Sequence, residues 1–232
     1  MSTQNTIIEK MFEVGAHYGY SKSRRHPSVV PYIFATKNGV DIINIEKGYD
    51  LFENALEAVK KYASSGKIIL FVGTKAEAKQ QIIETALSLN MPYVAERWVG
   101  GSLTNFSEIK KRIAKLLEFR EQKEKGNLDK YTKKERLLID REVEDMTKNF
   151  QGLSGLTRVP DVMFVIDPKK EHIACTEAHK MKIPVIALLN TDCNLKQVEY
   201  PIIANDASIS SIEFFLQSIK DAYNKGSIGD KK

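Results

Sequence analysis

The sequence is poor in several things, and each shortage excludes a class. It has two cysteines, Cys175 and Cys193. That is too few for a disulfide scaffold and suits a reducing compartment. No apolar run approaches the roughly 20 residues that span a bilayer; the run over residues 183–189 is far shorter. Residues 1–10 lack the basic start, apolar centre and small-residue cleavage site of a secretory leader. The thirteen glycines form neither GxGxxG nor the GxxxxGKS/T loop, so the usual dinucleotide and P-loop signatures are missing. There is no repeat of solenoid period. What remains is a soluble, cytosolic globular chain: of its 232 residues 42% are apolar and 28% charged, enough apolar surface to bury a core in one large domain or two small ones.

The net charge of +5 comes from 35 basic and 30 acidic residues, and its placement says more than its size. Residues 103–153 hold 13 basic against 10 acidic side chains, three of the five excess charges, whereas residues 154–232 hold 10 of each. One short window, residues 20–31, carries Lys22, Arg24, Arg25 and His26 and no acid.

Apolar periodicity gives the organisation. Phe52, Ala55, Val59 and Ala63 mark a helix over residues 51–63. KIILFV at 67–72 reads as a buried strand ended by Gly73, and a helix with Ala78, Ile82, Ala86 and Leu89 on one stripe follows. VMFVI at 162–166 and PVIALL at 184–189 are further buried strands, with helical periodicity at 170–181 between them. Strand, helix and strand recur, which predicts an α/β fold with a parallel sheet. Ahead of it, residues 32–36 and 40–45 flank Asn38-Gly39, a β-hairpin turn signal.

The middle of the chain differs. Phe106, Ile109, Ile113 and Leu116 form one narrow stripe, and Ile139, Val143, Met146 and Phe150 a second, separated by a polar break at 126–130. This predicts two helices forming an antiparallel coiled-coil hairpin. Thr132 with Glu135 is a capping-box pair for the second helix, and Asn105 with Glu108 a matching pair for the first. Gly152 and Gly155 are expected to form the return hinge. The expected division is one discontinuous α/β domain, residues 1–103 and 154–225, with an inserted arm at 104–153 and a flexible tail at 226–232.

No catalytic set emerges. Gly73-Thr74-Lys75, between a strand and a helix, offers backbone amides to a phosphate, but a plain turn capped by Thr74 is the commoner use. His172, Cys175 and His179 share a helix face with the spacing of metal ligands or of a thiol and its base; a core-facing Cys flanked by two rim histidines explains them better. Asp167, Asp192 and Asp206 fall at strand ends, where they could meet His17 around a divalent ion, although caps and turns use the same residues. No metal or cofactor is expected.

RNA binding fits better, since backbone contacts need flexible cations beside stacking groups. Residues 15–20 (GAHYGY) followed by Lys22, Arg24, Arg25 and His26 supply both in one loop. Arg97 next to the single Trp98 could stack on a base, although a lone Trp more often anchors a core. Lys110, Lys111 and Arg112, and Lys133 and Lys134 with Arg136, are clusters on the arm that count only together with that loop.

These segments also carry a resemblance. GAHYG at 15–19, PYIF at 31–34, Asn38-Gly39, IIN at 42–44, FVGTK at 71–75, RWVGGSLTNF at 97–106, TKKE at 132–135, Pro160-Asp161 with FVID at 164–167, IPV at 183–185 and Asn205-Asp206 occur in one order over residues 10–220. The ordered set resembles the ribosomal protein S-two family of the bacterial small subunit. The resemblance implies a flavodoxin-like, Rossmann-like three-layer fold with a coiled-coil arm. It also implies a non-catalytic place on small-subunit rRNA between head and body, next to the mRNA-binding protein S-one. Two stretches depart from the family pattern: residues 19–27 read GYSKSRRHP where GHQTRxWNP is usual, and Ile203-Ala204 replaces Pro-Gly before Asn205. The competing expectations are a nucleotide- or phosphosugar-binding enzyme using Gly73-Thr74-Lys75, and a module that docks only protein.

Overall fold

The computed structural model describes residues 2–125 and 132–228. It opens with a helix that the sequence reading did not anticipate, α1 (Ser2–Glu13), which turns Ile7, Ile8 and buried Met11 onto the core. A small antiparallel sheet follows: β1 (Tyr18–Ser21), β2 (Ile33–Lys37) and β3 (Val40–Ile43), in the order β1-β3-β2. The hairpin joining β2 and β3 turns where expected, with Asn38 and Gly39 both left-handed at φ 52° and 77°, the requirement of a tight hairpin turn. The expected cationic loop is more ordered than a loop. Its start pairs with β3 as β1, and 3-10 turns occupy Lys22–Arg24 and Pro27–Tyr32.

The rest of the chain runs α2 (Ile45–Ser64), β4 (Ile69–Val72), α3 (Ala76–Ser88), β5 (Tyr93–Val94), α4 (Phe106–Glu124), α5 (Lys133–Phe150), β6 (Val162–Ile166), α6 (His172–Lys180), β7 (Val185–Leu189), β8 (Tyr200–Ile203) and α7 (Ile209–Ile228). Five strands form one sheet ordered β5-β4-β6-β7-β8, and each neighbouring pair is parallel. By position in the chain this order is 2-1-3-4-5. The three runs read as buried strands are its centre. The edge strands β5 and β8 gave no such signal: one is two residues long, and the other holds Pro201, a residue tolerated at sheet edges.

Alternate strand residues feed two cores. Ile69, Phe71, Val162, Phe164, Ile186 and Leu188 face α2, α3 and α7. Leu70, Val72, Met163, Val165, Val185 and Ala187 face α6, Trp98, Leu103 and the inner side of α4. The first core is closed by α7, whose Ile212, Phe215, Leu216 and Ile219 are buried and whose Phe215 meets Phe52 edge-on at 5.2 Å. Residues 226–228 of the expected tail continue this helix; the remainder of the tail lies outside the described residues, as does the polar break at 126–130.

Helices α4 and α5 lie side by side. Lys115 pairs with Glu142 at 2.5 Å and Lys123 with Asp140 at 2.6 Å, and Arg120 Nη2 donates to Thr147 Oγ1 at 3.1 Å. The stripes face inward, with Ile109, Ile113, Leu116 and Phe150 buried. The Thr132–Glu135 capping box forms. The Asn105 counterpart does not: Asn105 precedes α4 at φ −126°, ψ 48° and makes no side-chain cap bond.

Gly152 is not a hinge. It sits in a 3-10 turn (Gln151–Leu153) pressed against β5, where an added β-carbon would lie 2.2 Å from the Tyr93 carbonyl oxygen. Backbone cannot yield as a flexible side chain does, so Gly152→Ala is expected to cost about 2 kcal/mol by overpacking, read as a lower urea midpoint at unchanged m-value. Gly155, with open space around it, should accept alanine without loss.

Candidate nucleic-acid interface

The cationic segment leaves β1 at Ser21 and tightens at once into the turn Lys22–Arg24, with Lys22 N donating to Gly39 O at 2.9 Å. Lys22 and Arg24 are exposed, and neither makes an ion pair among the described residues. The Arg24 guanidinium rests 4.9 Å above the Tyr20 ring, a cation–π contact that holds the side chain while its donors stay in solvent.

Arg25 is used differently. It turns inward to Asp41, with Nε donating to Oδ2 at 2.6 Å and Nη2 engaging Oδ1, and Nη2 also reaches Thr36 Oγ1 at 2.7 Å. The Asp41 side chain is fully buried. The Arg25 hydrogen bonds outweigh that burial and hold its carboxyl below the usual range. A window without acids along the chain therefore meets an acid across the hairpin. His26 also turns inward: its Nδ1 accepts from Ser28 N at 3.2 Å, capping the turn Pro27–Tyr32, and its backbone N donates to Thr191 O at 2.9 Å.

This segment sits on the carboxyl ends of the parallel strands, around Lys75. The ammonium lies 2.6 Å from Asp206 Oδ2, 2.7 Å from Asp167 Oδ2 and 3.2 Å from the Tyr20 hydroxyl. Asn190 Nδ2 donates to the other Asp206 oxygen at 3.1 Å. Burial works against the Lys75 charge, but the two carboxylates outweigh it and raise its pKa above the ordinary lysine value. Asp167 and Asp206 do converge at this edge, as their strand-end positions suggested, but around a lysine. Asp192 lies aside with Lys169 at 3.0 Å, and no group of three or more His, Cys, Asp and Glu suited to a metal occurs among the described residues.

The same geometry decides against a phosphate at Gly73-Thr74-Lys75. Thr74 caps nothing: its N and Oγ1 both donate to the buried Glu171 Oε1, at 3.2 and 2.5 Å, and Lys75 is the residue preceding α3. The Thr74 donors and the Lys75 ammonium are held by carboxylates of the chain itself, and Gly73 N donates to Val94 O at 3.0 Å. On α6, Cys175 is buried with His172 and His179 exposed on either side, and burial pushes the Cys175 thiol up to about 12, so it holds no thiolate nucleophile at neutral pH.

The remaining expected residues lie elsewhere. Arg97 is exposed beside Trp98, which is itself 7% exposed and donates Nε1 to Glu177 at 3.1 Å. The tryptophan is thus a core anchor with little surface left for a base. Glu177, which the sequence reading passed over, also accepts from Gly101 N, Leu103 N, Thr104 N and Thr104 Oγ1 at 2.8 to 3.2 Å. Burial opposes its charge, yet these bonds prevail and its pKa is lowered. It fixes the whole turn carrying Arg97. Arg97 and Arg112 line one cleft of about 800 Å³ with Lys115, Glu142 and Asp145. Lys110 donates to Thr157 O at 2.7 Å, and Lys111 pairs with Glu108 at 2.6 Å. Lys133 and Lys134 stand exposed in the first turn of α5, away from the core-bound Phe150 end. Cations are unfavourable at a helix amino terminus, so helix stability does not account for that pair.

The family model described as Ribosomal protein S2 matches residues 11–226. The small ribosomal subunit protein uS2 of Chloroherpeton thalassium is 46% identical over 215 residues, covering 93% of this chain and 86% of the relative. The uS2 proteins of Dictyoglomus turgidum and Chlorobium luteolum are each 42% identical, over 220 and 214 residues, covering 95% and 92% of this chain and 89% and 85% of the relatives.

Proposed function

Since the chain belongs to the ribosomal protein S2 family, a structural and non-enzymatic component of the small ribosomal subunit, we propose that it binds small-subunit rRNA through the β1 turn. Lys22 and Arg24 lie against phosphates, and Arg97, Arg112, Lys133 and Lys134 make secondary contacts. The observation that carries this reading is the pair of exposed cations Lys22 and Arg24, without an ion pair among the described residues, on a turn fixed to the sheet edge. Arg25 and His26 support that turn from within. In this reading the 2-1-3-4-5 sheet is flavodoxin-like. Helices α4 and α5 form a coiled-coil arm (104–153) inserted into one domain (1–103 and 154–225). The protein sits at the periphery, between head and body, with the S-one protein among its neighbours.

Two measurements test this. Tagged protein in a cell lysate should co-sediment stoichiometrically with small subunits. In filter binding to small-subunit rRNA, each phosphate contact contributes about 0.7 to 0.9 to the slope of log K against log salt. Lys22→Ala with Arg24→Ala should therefore flatten that slope by about 1.5. Affinity indifferent to both salt and these substitutions refutes the assignment.

A further inference from the structure

Sheets ordered 2-1-3-4-5 take up ligands outside the carboxyl ends of their strands, where the order reverses between the first and third. Here that place lies between β4 and β6. It is filled from within. Lys75 bridges from the end of β4 to Asp167 at the end of β6 and to Asp206 beyond β8, and the Tyr20 ring lies over it, 5.7 Å from Nζ. Tyr20 thus has two cations on its ring, Lys75 and Arg24. The two carboxylates that neutralise Lys75 remove the repulsion that would otherwise drive Arg24 away.

We infer that the ligand crevice of this sheet has become the seat of the chain's own RNA-facing turn, and that Thr191 is the positioning residue that sets the direction of Lys22 and Arg24. Thr191 is fully buried and holds both ends of the turn. Its Oγ1 accepts from Tyr20 N at 2.9 Å and its carbonyl accepts from His26 N at 2.9 Å. Gly19 makes the approach possible, because a β-carbon there would lie 2.6 Å from Thr191 Cγ2 and 2.9 Å from Asp41 O. A third bond, Leu195 N to Ser28 Oγ at 3.1 Å, ties the segment beyond His26 to the same loop. An RNA backbone then meets a turn whose ordering was completed on folding, which is how preorganisation raises affinity.

The inference rests on the RNA reading above, and the test separates the two. Thr191→Val keeps the shape and removes the Oγ1 acceptor, whereas Thr191→Ser restores it. Thr191→Val is expected to weaken binding to small-subunit rRNA about tenfold and to flatten the salt slope, although no charge has been removed, with Thr191→Ser within about twofold of the native chain. Hydrogen exchange should show faster exchange at the Tyr20 amide in the valine variant and not in the serine one. A purely structural role would lower the melting temperature and leave the slope of the folded fraction unchanged. If Lys22→Ala and Arg24→Ala weaken binding but folded Thr191→Val matches the native slope and affinity, the RNA reading stands and the positioning inference is overturned. If the Lys22 and Arg24 changes have no effect, both fall. Should Thr191→Val not fold, Gly19→Ala, which strains the same contact, takes its place with the same slope as readout.

Discussion

Glu177→Ala is expected to lose about 4 kcal/mol of stability, roughly 10 °C in melting temperature. The carboxylate accepts from Trp98 Nε1, from three backbone amides and from the Thr104 hydroxyl, and an alanine leaves no acceptor for any of them. A buried donor without a partner costs about 1–3 kcal/mol; two of the five, on Trp98 and Leu103, are in fully buried pairs, and the others have partial access to water. Glu177→Gln keeps one acceptor oxygen but points an amide at two former donors, so its loss should be intermediate. Because these bonds depress the folded-state pKa of Glu177, their contribution is present above the ordinary carboxylate pKa and is lost as pH falls through the lower folded value. The difference between native and alanine chains should accordingly shrink in acid. Denaturation of both variants at neutral pH and near pH 3 checks this, and a loss under 1 kcal/mol at neutral pH would show that the turn over residues 97–104 holds itself.

Lys75→Met should cost about 3–5 kcal/mol near neutral pH for a different reason: it leaves Asp167 and Asp206 facing each other with their shared cation gone. In the native chain the raised Lys75 pKa means that its contribution is complete below the ordinary lysine pKa and is lost only as pH rises through the folded value, so native stability should decline in strong alkali. The variant should recover in acid, where protonating one carboxyl relieves the repulsion. Adding Asp206→Asn to Lys75→Met should restore most of the loss at neutral pH. If the double variant is as unstable as the single, packing of the lysine stem and not charge governs the centre.

Much of the fold was legible because its information is local. The runs at β4, β6 and β7 are apolar on both faces, the Asn38-Gly39 turn needs left-handed backbone, and the α4 and α5 stripes repeat at helical spacing. Helix α7 carries the same local signal, since Ile212, Phe215 or Leu216, Ile219 and Ala222 follow that period. The site was harder. Tyr20, Lys75, Asp167, Asn190 and Asp206 are brought together only by the order of strands in the sheet, and a lysine after a strand looks like any solvated one. Arg25 illustrates the limit in a smaller space: its partner Asp41 lies sixteen residues away in sequence but across one hairpin in the fold. Glu177 and Glu171 read as ordinary helix carboxylates, because the amides they accept from come from turns far away in sequence.

The parallel sheet also sets a timetable for synthesis. Ile69 of β4 pairs with Val162 of β6, 162 − 69 = 93 positions later, and between them the ribosome must make all of α4 and α5. At about 5–20 residues per second, β4 waits roughly 5–20 s for its neighbour. The face of α2 and β4 that buries Phe52 and Phe71 waits longer still, for the Phe215 of α7. During that interval the nascent chain carries an apolar surface it cannot yet cover, and such non-local pairing is expected to slow folding. The α4 and α5 pair, whose contacts are local, can fold first and leave the two halves of the sheet close together when β6 emerges.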